Sequence, residues 1–235
     1  MSRVGVVTGL QMEAAAVRWA LKQRPPKAEV LVACHGPGPI RARGAAQTLL
    51  DDGAKALASV GLAGGLKPIL WPGTVVVARD VITASCTRYC SDEAWRERVL
   101  ERLVDDDDVV EGRFFGTDAP VLSAADKASL FAAHEASVVD MESHAVAAAA
   151  DEAKVPFAAV RAVADAPEHF VPVLARSGMR EDGTVTPWPV LVRLLGQPWH
   201  LPAMVVTALE TRKGLAALRR VLLETGAVGG VAMPG

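Results

Sequence analysis

Three carboxylates, far apart in the chain, occupy the same kind of position. Glu13 follows a short β-branched run, Glu142 follows Ser137–Asp140, and Asp165 follows Phe157–Val163. Each stands where a strand hands over to a helix, so in a parallel sheet all three project from one edge. A lone carboxylate there suits the positive end of a helix. Three on one rim form the beginnings of a site, because open α/β sheets bind ligands at the carboxyl ends of their strands. Gly-rich turns recur on the same rim at residues 8–9, 35–38 and 61–65. Glycine lets backbone approach a ligand closely and presents free N–H groups to anions. None of these turns is a GxGxxG with an acid about 20 residues on, and no GxxxxGK[ST] occurs, which sets aside nicotinamide and P-loop chemistry.

The elements that must hold these residues are read from periodicity. β-Branched runs alternate with Ala/Leu-rich helical stretches, the pattern of an α/β protein. Strands are expected at 3–8, 29–34, 58–60, 74–78, 109–115, 137–140 and 157–163. Helices are expected at 11–22, 40–51, 124–134, 141–154 and 202–223, with a further one capped by Ser91 and running to Val104. The acidic run Asp105–Asp108 reads as a solvated loop, and residues 176–189, rich in Gly, Pro and charge, as an exposed loop or lid. The expected fold is a three-layer αβα domain with a central mixed, largely parallel sheet. It is read as one domain over residues 1–235, with 171–235 a divergent lid loop and C-terminal helices.

Composition narrows the function classes. A chain of 235 residues, 51% hydrophobic, can bury a sizeable core. A formal net charge of -2 gives no basic footprint for nucleic acid. Three cysteines, Cys34, Cys86 and Cys90, make no disulfide framework and suit a reducing cytosol. No run of 18 uncharged apolar residues and no secretory leader is seen, so the expected location is cytoplasmic. Five histidines lack paired-ligand spacing, so no metal is expected. His35, in a Gly-rich loop, and His169, just after Asp165, remain candidates for substrate contact.

Four motifs then carry a family resemblance, in order, over about residues 3–170. Val138-Val139-Asp140-Met141-Glu142-Ser143 resembles the [AV]-[VE]-[DE]-M-E-[AST] signature of the nucleoside phosphorylase and nucleosidase superfamily. Val60-Gly61-Leu62-Ala63-Gly64-Gly65 resembles its G-[ST]-[AC]-G turn, and Arg161-Ala162-Val163-Ala164-Asp165 its R-x-[IV]-[ST]-D strand end. Gly9-Leu10-Gln11-Met12-Glu13 is similar to the N-terminal segment of bacterial methylthioadenosine/adenosylhomocysteine nucleosidases. The resemblance implies cleavage of a purine–ribose bond through an oxocarbenium-like sugar. It implies Asp165 as general acid at purine N7, Glu142 accepting from the ribose hydroxyls, Met141 against the sugar, and Glu13 activating or holding the attacking water. It places Pro120 and Val121, in Asp118–Val121, against the base. Gly9, Gly36, Gly38, Gly61 and Leu62 would form the water or anion loops. A homo-oligomer is expected, with a dimer favoured.

Departures bear on the nucleophile. Leu62 stands where the family has Ser or Thr, Ala164 replaces the hydroxyl residue beside the acid, and Pro120 stands where an aromatic stacks on the base. The arginine that phosphorylases place before the Gly-rich turn is replaced by Ala58 and Ser59; Arg41 and Arg43 either supply positive charge in its place or are exposed helix arginines. With Glu13 present and that arginine missing, hydrolysis is favoured over phosphorolysis, and inorganic phosphate stays possible as a co-substrate; no cofactor is implied.

The last third resembles hopanoid-associated members of the superfamily, through Gly183–Trp188, Val190–Leu195 and Gln197–Met204. That implies an adenine nucleoside linked to a lipid, adenosylhopane. Leu201, Met204, Val205, Leu209, Leu215, Leu218, Val221 and Leu222 make apolar stripes at helical spacing, with Arg212, Lys213, Arg219 and Arg220 nearby. Such a helix either packs on the body or lies on an anionic membrane surface, at the inner face of the membrane. Trp188 and Trp199 either line a greasy entrance or anchor the packing. The rivals are a methylthioadenosine/adenosylhomocysteine-type nucleosidase and a non-catalytic nucleoside- or lipid-binding protein.

Overall fold

A computed structural model of the chain describes residues 3–226, so the single-domain expectation over 1–235 extends past the described residues at both ends. The strands are β1 (Arg3–Val7), β2 (Glu29–Ala33), β3 (Ala56–Gly65), β4 (Val75–Thr83), β5 (Arg88–Cys90), β6 (Val109–Gly116), β7 (Val138–Asp140) and β8 (Phe157–Asp165). The α-helices are α1 (Gln11–Gln23), α2 (Pro39–Asp51), α3 (Glu93–Glu101), α4 (Ala124–His134), α5 (Ser143–Ala153), α6 (Pro187–Gly196) and α7 (Leu201–Thr225).

All eight strands join one mixed sheet. Parallel pairs link β1 to β2 and β3, β3 to β8, β4 to β6, and β6 to β7. Antiparallel pairs link β3 to β7, β4 to β5, and β4 to β8. The pairings β3–β8–β4–β6–β7–β3 therefore close into a ring, and β1 and β2 extend from β3 beside it. Helices α2 and α5 cover one face, packing Ala45, Leu49, Val146 and Ala150 against Val7, Val76 and Phe114. Helices α1, α3 and α7 cover the other, packing Val17, Trp95, Leu218 and Val221 against Val6, Val60 and Val77. The αβα layering and mixed sheet expected from the sequence are both present.

Several boundaries differ from expectation, and four of the differences bear on the site or the packing around it. The segment 61–65 is strand, not turn, so β3 is ten residues long. Its glycines are required by packing rather than by bending: a Cβ at Gly61 would lie 2.5 Å from the Arg161 guanidinium and 2.7 Å from Glu13 Oε1. Asp92, not Ser91, caps α3 by accepting from the Trp95 N–H at 2.8 Å, and α3 stops at Glu101 instead of Val104. The helix expected from Met141 starts at Ser143, because Asp140 folds back to accept from the N–H groups of Glu142 and Ser143. The stretch 176–189 is not simply an open loop. It contains the end of a 3₁₀ turn (Val173–Gly178), a Met179–Val185 bridge and the start of α6.

The apolar stripe expected along α7 divides in two. Leu218, Val221 and Leu222 are buried, whereas Leu201, Val205 and Leu209 are about half exposed. Gly214 marks the crossing, since a Cβ there would stand 2.7 Å from the Val163 carbonyl of β8. Of the basic residues on this helix, Arg220 pairs with Asp106, which ties the acidic run to the body. Among the described residues, no helix is long and apolar enough to cross a membrane.

Candidate active site

The turn after β1 and the first turn of α1 bend Glu13 back on its own backbone. Its Oε2 accepts from the N–H groups of Gly9 (3.0 Å) and Leu10 (2.9 Å), and Oε1 accepts from Leu62 N–H on β3 (2.8 Å). The carboxylate thus consumes the donors that the Gly-rich turns offer to an anion. Burial pushes its pKa up, against the opposing pull of Arg161 and the three N–H groups.

Glu142 sits where β7 turns into α5. It accepts from Gly38 N–H at 2.9 Å and faces an Arg161 amine at 3.4 Å. Arg161, in register with Gly61 across the β3–β8 pair, is fully buried and also reaches Ser59 Oγ (2.9 Å) and Asp140. One guanidinium therefore faces three buried carboxylates, Glu13, Asp140 and Glu142. The charges do not balance, and the surplus falls on Glu142. Burial, with Asp140 and Glu13 adding to it and Arg161 opposing, pushes Glu142 up to about 7. Asp140 is also penalised by burial, but Arg161 and the N–H groups of Ser143 and Glu142 hold it below the usual carboxylate range.

Asp165 ends β8 on the same rim. Burial raises its pKa, and Lys127 opposes the rise. Lys127 comes from α4 and is wholly buried. Its Nζ donates to Asp165 Oδ2, to the Ala166 carbonyl (2.7 Å) and to the His169 carbonyl (3.1 Å). Behind it, His169 Nδ1 and Glu210 Oε1 of α7 are 2.6 Å apart.

Glu13, Glu142 and Asp165 all open onto one cleft of about 640 Å³. Met141, Pro120, Val121, Gly9, Gly38, Leu62 and Arg41 also line it. The carboxylates at the Glu13–Glu142 end are close, since a Cβ on Gly9 would lie 2.9 Å from Glu142 Oε1. Three expected site residues are not on the cleft wall. Arg43 points away and pairs with Glu152 at 2.5 Å. Gly61 lies behind the wall, against Arg161 and Glu13. Gly36 is covered by the Glu181 carbonyl, which leaves no room for a Cβ, and its φ is positive. Arg41 reaches the rim but is paired with Glu181 at 2.9 Å. His35 and His169 are both absent from the cleft wall; the His169 carbonyl accepts from Lys127.

Sequence reasoning passed over Lys127. Its signal is a lysine on the apolar face of a helix, in line with Leu130, Phe131 and His134 at i+3, i+4 and i+7. Arg161 and Asp140 were visible as motif letters, but their pairing was not.

Residues 26–180 match the family model of the Phosphorylase superfamily. The chain belongs to that superfamily. It is accordingly an enzyme of the nucleosidase or phosphorylase type. No curated protein sequence matches it. Solved structures share its fold at low identity. An S-adenosylhomocysteine nucleosidase from Streptococcus pyogenes, in complex with 5-methylthiotubericidin, superposes with a TM-score of 0.73 at 17% identity, covering 96% of each chain. The 5′-methylthioadenosine/S-adenosylhomocysteine nucleosidase of Neisseria meningitidis, bound to methylthio-immucillin-A, gives 0.72 at 17% identity, covering 97% of this chain and 99% of the other. Futalosine hydrolase of Helicobacter pylori gives 0.71 at 16% identity, covering 95% and 96%.

Proposed function

We propose that this superfamily member hydrolyses the N-glycosidic bond of an adenine nucleoside carrying an apolar 5′ group, and that adenosylhopane, an intermediate of hopanoid biosynthesis, is its substrate. The observation that carries the reading is the meeting of Glu13, Glu142 and Asp165 on one cleft. Asp165 protonates N7 as the C1′–N9 bond breaks and its electron pair passes to the base. Glu142 accepts from the ribose hydroxyls, and Met141 packs on the sugar. Glu13 takes a proton from the water that attacks C1′. Pro120 and Val121 flank the base.

Water is favoured over phosphate by the environment of Glu13. The Gly9, Leu10 and Leu62 N–H groups already donate to a carboxylate, and Arg41 already pairs with Glu181. A phosphate dianion beside Glu13 would meet like charge with few free donors.

The apolar 5′ group is supported by the wall on the α6–α7 side, where Val171, Ala175, Met179 and Val185 line the cleft. Beyond it, Trp188, Leu195 and Trp199 are 71%, 85% and 69% exposed. From residue 187 to 209 there is no acidic side chain, and Arg193, Arg212 and Lys213 stand in or beside the stretch. Such a surface suits peripheral contact with an anionic membrane holding a lipid-linked substrate.

A second reading, a nucleosidase for 5′-methylthioadenosine or adenosylhomocysteine, draws on the fold shared with the S. pyogenes and N. meningitidis enzymes. Adenine release from adenosine, methylthioadenosine and a 5′-alkyl adenosine, each with and without phosphate, decides among the readings. Preference for the alkyl substrate without phosphate is expected. Preference for methylthioadenosine supports the second reading, a phosphate requirement makes the enzyme a phosphorylase, and no adenine from any substrate leaves a binding protein.

A further inference from the structure

Lys127 poses a problem for the acid assigned to Asp165. A general acid must hold its proton until the base leaves, and a cation in contact with a carboxyl group works against that. Yet Lys127 is wholly buried, reaches into the site from a separate element, and touches no other carboxylate. Burying a lysine costs stability unless it is paired, so a residue that only weakened the acid would be a double burden. The three acceptors around Nζ match the three N–H groups of an ammonium. Nζ binds Oδ2 of Asp165, and Asp165 itself lines the cleft.

We infer that Lys127 is a positioning residue and proton reservoir acting through Asp165, so that the Lys127–Asp165 pair, not Asp165 alone, is the acid unit. The inference rests on the glycosidic-cleavage reading. The pair holds one transferable proton, on the ammonium. Asp165 Oδ2 takes that proton from Nζ, and rotation of the carboxyl group turns the new O–H towards the cleft. As the C1′–N9 bond breaks and the base takes its electron pair, the proton passes to N7. Lys127 is left as an amine, and the carboxylate is unchanged. Water, having lost a proton to Glu13, completes the sugar product, and solvent returns the proton to Lys127 after product leaves. The remaining charged groups near the pair are His169 and Glu210, hydrogen-bonded to one another, with Asp126 on α4 held by Ser123 and Glu168 exposed.

The pH profile of kcat separates this arrangement from a lysine that merely lowers the carboxyl pKa, because the two give opposite signs. If Asp165 alone must be protonated, Lys127→Met removes an opposing cation and the basic limb of kcat moves up. If the pair is the acid, Lys127→Met leaves a lone carboxyl group, the basic limb moves down by about 1 pH unit or more, and kcat at neutral pH falls by at least about 10-fold with little change in KM. Lys127→Arg keeps the charge and the contact but gives up a proton far less readily. It is expected to keep the fold and fail to restore kcat.

An upward shift in Lys127→Met, or full recovery in Lys127→Arg, overturns the inference. Should Lys127→Met not fold, the Arg variant and the wild-type profile decide. A wild-type basic limb in the ordinary carboxyl range, below about pH 5, also overturns it. Wild-type protein that releases adenine from no nucleoside sinks the glycosidic-cleavage reading and this inference together. Adenine release with either overturning profile sinks the inference alone.

Discussion

The floor and the mouth of the cleft are built on opposite principles. At the floor, buried charges are locked to backbone and to one another: Glu13 by three N–H groups, Glu142 by Gly38 and Arg161, Asp165 by Lys127. At the mouth, α6 has no buried residue and the first turns of α7 expose Leu201, Val205 and Leu209. The contrast separates two tasks. Preorganised charge stabilises a transition state only if it need not rearrange, which suits a floor made of strand ends. An exposed apolar surface of this kind is the sort that meets a partner, a ligand or a membrane, the role proposed above for the mouth.

The sharpest way to break this division is at the floor. Asp165→Asn is expected to lower kcat by at least about 10²-fold, with thermal melting used to check the fold, since Lys127 loses its partner. A near-wild-type rate would remove Asp165 from the acid role. The two halves of α7 give the next largest contrast, now in stability. Leu218→Ala, in the packed half, is expected to cost about 2–4 kcal/mol in chemical denaturation. Leu201→Ala, in the exposed half, is expected to stay within about 0.5 kcal/mol. Equal losses would mean that the mouth is ordinary core.

Glu142 offers a subtler test through pH. Its folded-state pKa of about 7 lies above the ordinary value, so between roughly pH 4.5 and 7 the folded protein binds the extra proton. Unliganded protein should therefore lose stability as pH rises through that window and lose no more to this group above it. Ribose hydroxyls donate to the ionised form, so KM should rise several-fold as pH falls below about 7. In Glu142→Gln both dependences should flatten. The smallest effect belongs to the mouth. Leu195→Glu is expected to raise KM a few-fold for a long 5′-alkyl adenosine and to leave methylthioadenosine unchanged. An equal effect on both substrates would detach this surface from 5′-group recognition.

Sequence made the floor legible in one dimension and left it dark in three. The carboxylates could be found because each ends or follows a strand whose β-branched pattern is plain, and because the motifs around Glu142 and Asp165 are short and contiguous. The layering followed from alternating strand and helix periods. The ring closure of the sheet did not, since antiparallel pairing of β4 with β8 leaves no local mark. Lys127 was missed because its partner is 38 residues away and its helix reads as ordinary amphipathic pattern. The Gly61–Gly65 run misled in a specific way. Gly61, which suggested a turn, instead lets Arg161 and Glu13 press against a strand, and Gly64 and Gly65 lie close against Asp165. The split of α7 was likewise hidden, because an apolar stripe looks the same whether a sheet lies beneath it or solvent does.

A structure with a non-hydrolysable 5′-alkyl adenosine analogue bound tests the central claim most directly. The account predicts the purine N7 within hydrogen-bond distance of Asp165, the ribose hydroxyls on Glu142, a water between Glu13 and C1′, and the alkyl chain leaving past Met179 and Val185. A ligand seated elsewhere, or one in the cleft that touches none of the three carboxylates, would contradict it.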